Sequence, residues 1–97
     1  MKIEDDLLNE VHVLLHPTRY RIVELLTEKQ MHINEISKAL GEERRLVSYH
    51  LHTLEKHGFL RSNYEISKHP KSKGKAMRKY SVTGKVKEVI SALKSRI

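Results

Sequence analysis

Apolar residues recur at helical spacing along the first sixty positions and then change period. Ile3, Leu7, Leu8, Val11, Leu14 and Leu15 form the stripe of an amphipathic helix. His16-Pro17-Thr18 interrupts it. Pro17 suits the first turn of a new helix, where its missing N–H costs nothing. That second helix runs from Thr18 to about Glu28, with Tyr20, Ile22, Val23, Leu25 and Leu26 as its apolar positions. Gln30, Met31 and His32 read as a short extended connection. A third helix carries Ile33, Ile36 and Leu40 and is broken by Gly41; a fourth carries Val47, Leu51 and Leu54 and ends at Gly58.

Beyond Gly58 the pattern turns to strands. Phe59 to Ile66 partly alternates and is rich in strand formers. Ser67 to Lys75 is a basic, turn-forming segment, and Met77 to Val82 predicts a second strand with Tyr80 and Val82 on one face. The two strands make a β-hairpin. Thr83 can cap a last helix whose stripe is Val86, Val89, Ile90, Leu93 and Ile97. The expected fold is mainly α with a small β-hairpin, in the order α-α-α-α-β-β-α.

The third and fourth helices, joined by a tight turn, have the layout of a helix-turn-helix. On the fourth, between its apolar positions, stand Arg44, Arg45, Ser48, Tyr49, His52 and Lys56. They share the face opposite the apolar one. A helix with one greasy face and one face of guanidinium, hydroxyl and imidazole groups is what a major groove accepts. Residues 43–57 are therefore the candidate recognition helix. A helix-turn-helix followed at once by a hairpin is the winged helix arrangement, with residues 67–79 as the wing.

Charge supports a polyanionic partner. The 97 residues carry a formal net charge of +7, and the pI is near 9.8. Residues 1–60 hold 8 Lys and Arg against 10 Asp and Glu, whereas residues 61–97 hold 11 against 2. Lys68, Lys71, Lys73, Lys75 and Arg78, with His69, populate the wing and its base. Such groups act on phosphates or enter a minor groove. Arg19 and Arg21 open the second helix, where a contact to the nucleic-acid backbone is available.

Length and composition bound the rest. One domain, 1–97, is expected. There is no cysteine, which excludes disulfides, thiolate metal sites and thiol redox sensing. No run of about 18 apolar residues appears, so no membrane partner is expected. The acidic, periodic N-terminus is unlike a signal peptide, and a cytoplasmic location is expected. No nucleophile triad, glycine-rich phosphate loop or paired carboxylates stand out, so no catalysis and no cofactor are expected. His12 and His16 lie four residues apart on what reads as one helix, a spacing that holds two metal ligands. They are weak candidates, with a metal-responsive regulator as the corresponding reading. His50, between Val47 and Leu54, is expected to be a partly buried structural histidine.

The chain resembles the ArsR-type winged helix regulators at three places. These are Leu15-His16-Pro17-Thr18-Arg19-Tyr20-Arg21-Ile22-Val23-Glu24-Leu25-Leu26, the segment from Val47-Ser48-Tyr49-His50-Leu51 to Gly58-Phe59-Leu60, and Tyr80-Ser81-Val82-Thr83. The resemblance runs from about Leu15 to Lys87. It implies a dimeric transcription regulator that binds double-stranded DNA, with recognition helices in successive major grooves. It further implies a homodimer through the first and last helices, residues 1–16 and 84–97. The dimerisation residues would be Ile3, Leu7, Val11, Leu14, Val86, Val89, Ile90, Leu93 and Ile97. Arg19 resembles a frequent arginine of that family. The chain departs from the family where Glu43 stands at the usual Ser or Thr cap, followed by Arg44, Arg45 and Leu46. It also lacks the cysteines and the final-helix His and Asp that metal-sensing members use. Glu42, Glu43 and Leu46 keep a second class open, a protein-interaction or RNA-binding module with weak DNA binding. No effector site is visible in the sequence.

Overall fold

The computed structural model describes residues 3–66 and 74–97. Five helices and three short strands follow one another as α1 (Asp5–Leu14), α2 (Pro17–Glu28), β1 (Met31–His32), α3 (Ile33–Leu40), α4 (Arg44–Lys56), β2 (Leu60–Ile66), β3 (Ala76–Val82) and α5 (Lys85–Arg96). The expected helices and hairpin are present. The difference is at Met31 and His32, which pair antiparallel with Tyr80 and Lys79. The sheet therefore has three strands, in the order β1-β3-β2. Two residues are too few to show a periodicity, so only the tertiary pairing distinguishes this strand from a connection.

Each boundary has a local cause. Pro17 occupies the first turn of α2, and the His16 side chain accepts a hydrogen bond from the Thr18 backbone N–H at 3.2 Å. At the start of α3, the Glu35 carboxylate accepts from the His32 backbone N–H at 3.3 Å. Gly41 and Gly58 both take positive φ, 65° and 82°, which L side chains rarely adopt. At each, two backbone bonds close the helix end. Glu42 N–H donates to Ser37 O and Gly41 N–H to Lys38 O; Phe59 N–H donates to Leu54 O and Gly58 N–H to Glu55 O. This is the Schellman pattern, which satisfies the last carbonyls and turns the chain sharply. Thr83 stabilises the opening of α5 by accepting from Lys85 N–H at 3.3 Å.

The core is built from the helices' inner faces and the foot of the sheet. Leu14, Ile22, Ile36, Val47, Leu51, Leu54 and Phe59 are fully buried. Leu60, Tyr80 and Val89 close its edges. α1 packs most extensively on α5. Two ion pairs join them, Arg96–Glu4 at 3.2 Å and Lys85–Glu10 at 2.9 Å. Among the described residues, no helix is long and apolar enough to cross a membrane.

Two of the expected dimerisation residues belong to this core. Leu14 has no exposed surface and Val89 is buried, because α1 and α5 fold back on the body of the protomer. Ile3, Leu7, Val11, Val86, Ile90 and Leu93 are half-buried, and Ile97 is exposed. Leu8 and Leu15, each 45% exposed, are the large apolar side chains that α1 leaves facing outward.

Phe59 is the largest fully buried side chain and lies directly after the α4 turn. Truncation of such an aromatic removes its transfer free energy and leaves a cavity. Phe59→Ala is expected to lower unfolding free energy by about 3–5 kcal/mol, read by urea denaturation; a loss under 1 kcal/mol would show that Phe59 does not anchor the core.

Candidate nucleic-acid interface

The outer face of α4 follows from its inner one. With Val47, His50, Leu51 and Leu54 buried, the 3.6-residue repeat turns Arg45, Tyr49, His52 and Lys56 outward along one ridge. Arg44 and Ser48 lie on the flank toward the hairpin, together with Glu55. Leu46 and Thr53 lie on the other flank. Arg44, Arg45, Ser48, Tyr49, His52 and Lys56 are all exposed, so the structure brings these six expected residues onto one accessible surface. Glu43 is the N-cap of α4, and its side chain makes no capping hydrogen bond.

The hairpin stands beside this surface and is tied to it. Leu60, Ser62, Tyr64 and Ile66 pair with Val82, Tyr80, Arg78 and Ala76. Directly paired residues share a sheet face. At the foot of that face Ser62 Oγ donates to Glu55 Oε2 at 2.6 Å and accepts from Arg78 Nε at 2.8 Å. Arg78 also pairs with Glu55 Oε1 at 2.5 Å, and its guanidinium lies 5.1 Å from the Tyr80 ring centroid. Arg78 thus braces the hairpin against α4, a role its place in a basic segment does not reveal. Burial pushes the Tyr80 hydroxyl up from its usual range, against the opposing pull of Arg78. Between β3 and the starts of α3 and α4 runs an open groove of about 270 Å³, lined by His32, Asn34, Arg44, Ala76, Arg78 and Tyr80 among others. Farther out, Tyr64 and Ile66 are 69% and 64% exposed. Lys75 is exposed at the start of the returning strand. Lys68, Lys71 and Lys73 lie outside the described residues.

Two sequence expectations need correction. Arg19 retains only 9% of its surface, and so is not available to a duplex. The exposed arginine of α2 is Arg21, which lines a shallow depression with Pro17, Thr18 and Glu42. His12 and His16 do not share a helix. α1 ends at Leu14, and His16 is the N-cap of α2 with Nδ1 already accepting from Thr18. Arg78, expected on DNA, keeps 41% of its side chain exposed while it bonds Glu55 and Ser62.

His16, Arg19 and His50 come together beneath the recognition helix. The imidazole rings of His16 and His50 lie 4.6 Å apart, and Tyr49 meets His50 edge-on at 5.1 Å. Arg19 Nε and His50 Nδ1 are buried without a hydrogen-bond partner among the described residues. Burial holds the His50 pKa below its ordinary 6.5, and the charges of His16 and Arg19 push it the same way. His50 is therefore neutral at neutral pH, as a buried structural histidine should be.

The comparisons agree with this geometry. The helix-turn-helix domain family matches residues 14–63, from the last turn of α1 into β2. Among solved structures, an ArsR family transcriptional regulator superposes with a TM-score of 0.71 at 20% identity, covering 99% of this chain and 91% of the other. The transcriptional repressor BigR from Xylella fastidiosa gives 0.71 at 21% identity, over 96% and 84% of the two chains. The homodimeric winged helix-turn-helix DNA-binding domain from Mycobacterium bovis gives 0.68 at 21% identity, over 93% and 76%. No curated protein sequence matches at a significant level. The fold is that of the ArsR-type winged helix-turn-helix proteins.

The burial of His50 beside Arg19 generates a pH dependence of stability. In the folded chain His50 binds its proton less readily than in the unfolded chain, so protonation favours unfolding. Stability contributed by neutral His50 is present above pH 6.5 and is lost as pH falls through the depressed folded value. Thermal melting between pH 7.5 and 5 should show a steeper fall for the natural chain than for His50→Gln, which keeps the other six histidines. Equal slopes would remove His50 as the source.

Proposed function

The chain belongs to the helix-turn-helix domain family, and on that premise we propose that it is a transcription regulator binding double-stranded DNA sequence-specifically as a homodimer. The observation that carries this reading is the outer face of α4. Six polar or basic side chains stand exposed on it, opposite an apolar face that is fully engaged in the core. Arg45, Tyr49, His52 and Lys56 would face the base edges. Guanidinium groups recognise guanine O6 and N7, and phenol and imidazole groups supply single hydrogen bonds. Arg44 would hold the phosphate strand that separates the two grooves, because a helix in the major groove and a wing in the minor groove straddle one backbone. The groove between α4 and β3 has the position for that strand. Lys68, Lys71, Lys73 and Lys75 would add sequence-independent phosphate contacts. Arg21 takes the backbone role that the buried Arg19 does not.

The dimer reading rests on α1 and α5. They pack together at one end of the protomer and leave Leu8, Leu15 and Ile97 exposed. A second copy would cover them and set two recognition helices about one helical turn of DNA apart, 10–10.5 base pairs or a multiple. The expected action is in the cytoplasm, on the regulator's own or other promoters.

Fluorescence anisotropy on a duplex selected from a randomised library, against a scrambled duplex, tests the function. The selected duplex should bind about a hundredfold or more tightly near physiological salt, saturating at two protomers. Equal binding to both duplexes would overturn sequence specificity, and saturation at one protomer would overturn the homodimer. Arg45→Ala should cost about 1–3 kcal/mol on the selected duplex and little on the scrambled one. Loss of the same size on both would remove its base-reading role. Replacing Lys71, Lys73 and Lys75 by Gln should weaken both duplexes alike and flatten the log affinity against log salt slope by up to about 3. An unchanged slope would take these lysines off the phosphates.

A further inference from the structure

Resting on the DNA-binding reading above, the apolar part of the α4 surface acquires a meaning that phosphate contacts do not give it. Leu46 follows Arg45 in the first turn of α4 and keeps 39% of its surface exposed. Tyr49 comes three residues later and is 61% exposed. Residues three apart on a helix are neighbours, so the isobutyl group and the phenol ring form a small apolar strip. The strip runs from the outward ridge, where Tyr49 stands, to the flank away from the wing, where Leu46 stands, since Arg44 lines the wing groove and Glu55 bonds to β2 and β3.

A leucine gains nothing from phosphates and cannot hydrogen-bond a base edge. The major groove offers one apolar group, the C5-methyl of thymine. We propose that Leu46, backed by the Tyr49 ring, reads thymine by packing on that methyl. The surroundings fit a duplex better than a protein surface. Arg44, Arg45 and Lys56 stand exposed on the same helix, a charge complement to nucleic acid. Two side chains also fall far short of the roughly 800 Å² per partner that a stable protein interface buries. The same Leu46 that breaks the polar character of the helix thereby supplies a specificity element orthogonal to Arg45. Guanine would be read by hydrogen bonding and thymine by shape and desolvation.

Deoxyuridine in place of single thymines isolates the methyl without altering any hydrogen bond. On the selected duplex, the natural chain should lose about fourfold in affinity at one thymine per half-site, the worth of one buried methyl. Leu46→Ala should bind the thymine and uracil duplexes equally, whereas Leu46→Met and Arg45→Ala should keep the discrimination. Unchanged melting temperatures would confirm that each variant is folded. Absence of any thymine sensitive to uracil, or discrimination that survives in Leu46→Ala, would overturn the assignment while leaving the regulator reading intact. A library selection that enriches no sequence would overturn both.

Discussion

The turn at Gly58 fixes where the recognition helix stops and where the wing begins. Its positive φ lets Phe59 and Gly58 close the last carbonyls of α4, so the chain leaves the helix at one defined angle. The junction is then held from the far end of the sequence. Thr83 Oγ1 donates to Gly58 O at 2.6 Å, and Thr83 N–H donates to Phe59 O at 3.0 Å. Lys85 Nζ donates to His57 O at 2.5 Å and to Glu10 Oε1 at 2.9 Å, with its charge 5.0 Å from the Phe59 ring centroid. One lysine therefore links α1, the end of α4 and the start of α5. The Glu55–Ser62–Arg78 bonds brace the same corner from the wing side. The relative placement of helix and hairpin, on which any simultaneous grip of two grooves depends, is set by this corner.

Net charge and interface charge are different quantities here. The last 37 residues carry most of the positive charge, yet several of those groups are used internally. Arg78 is paired with Glu55, Lys79 with Glu65, Lys85 with Glu10 and Arg96 with Glu4. The pairs at Arg96 and Lys85 also explain why an acidic first helix and a basic last helix sit side by side. Their contribution to stability is modest because they are partly solvated. Their larger effect is orientation, joining the first and last helices, with Lys85–Glu10 at the junction where α4 ends. The cations of α4, by contrast, make no ion pair among the described residues.

The architecture was legible in the sequence wherever a periodic apolar stripe met a glycine, a proline or a capping residue. Hence α2, α3, α4, the hairpin and α5 lie close to their expected bounds, and the exposed face of α4 emerges from the spacing of Val47, Leu51 and Leu54. What was not legible depends on packing between elements far apart in sequence. Strand β1 exists only because β3 returns beside it. Arg19, at the opening of a helix, reads as a surface cation but is buried over His50, and His16 reads as part of α1 although it caps α2. Leu14 belongs to the same stripe as Leu7 and Val11, but only the docking of α1 decides which of them becomes core. No periodicity reports that Lys85 or Arg78 holds a junction. Their signal was present only as unlike charges, Glu10 and Glu55, dispersed elsewhere in the chain.

If α4 binds DNA as proposed, its start trades general affinity for specificity. Glu42 and Glu43 stand exposed at the N-terminal end of α4, where the helix dipole favours a carboxylate. The same carboxylates repel phosphates that a helix N-terminus would otherwise attract. A duplex offering only backbone contacts therefore meets both Arg44–Arg45 and Glu42–Glu43, and the opposite charges largely offset at that distance. On the proposed reading, a duplex offering the right base edges would let Arg45 and its neighbours form directed bonds that depend on short-range geometry. Repulsion common to every sequence lowers non-specific and specific binding together, whereas the directed contacts raise only the latter. On the proposed reading, the acidic residues at the helix entrance leave discrimination to the side chains from Arg45 to Lys56, with the wing supplying the sequence-independent attraction that they remove.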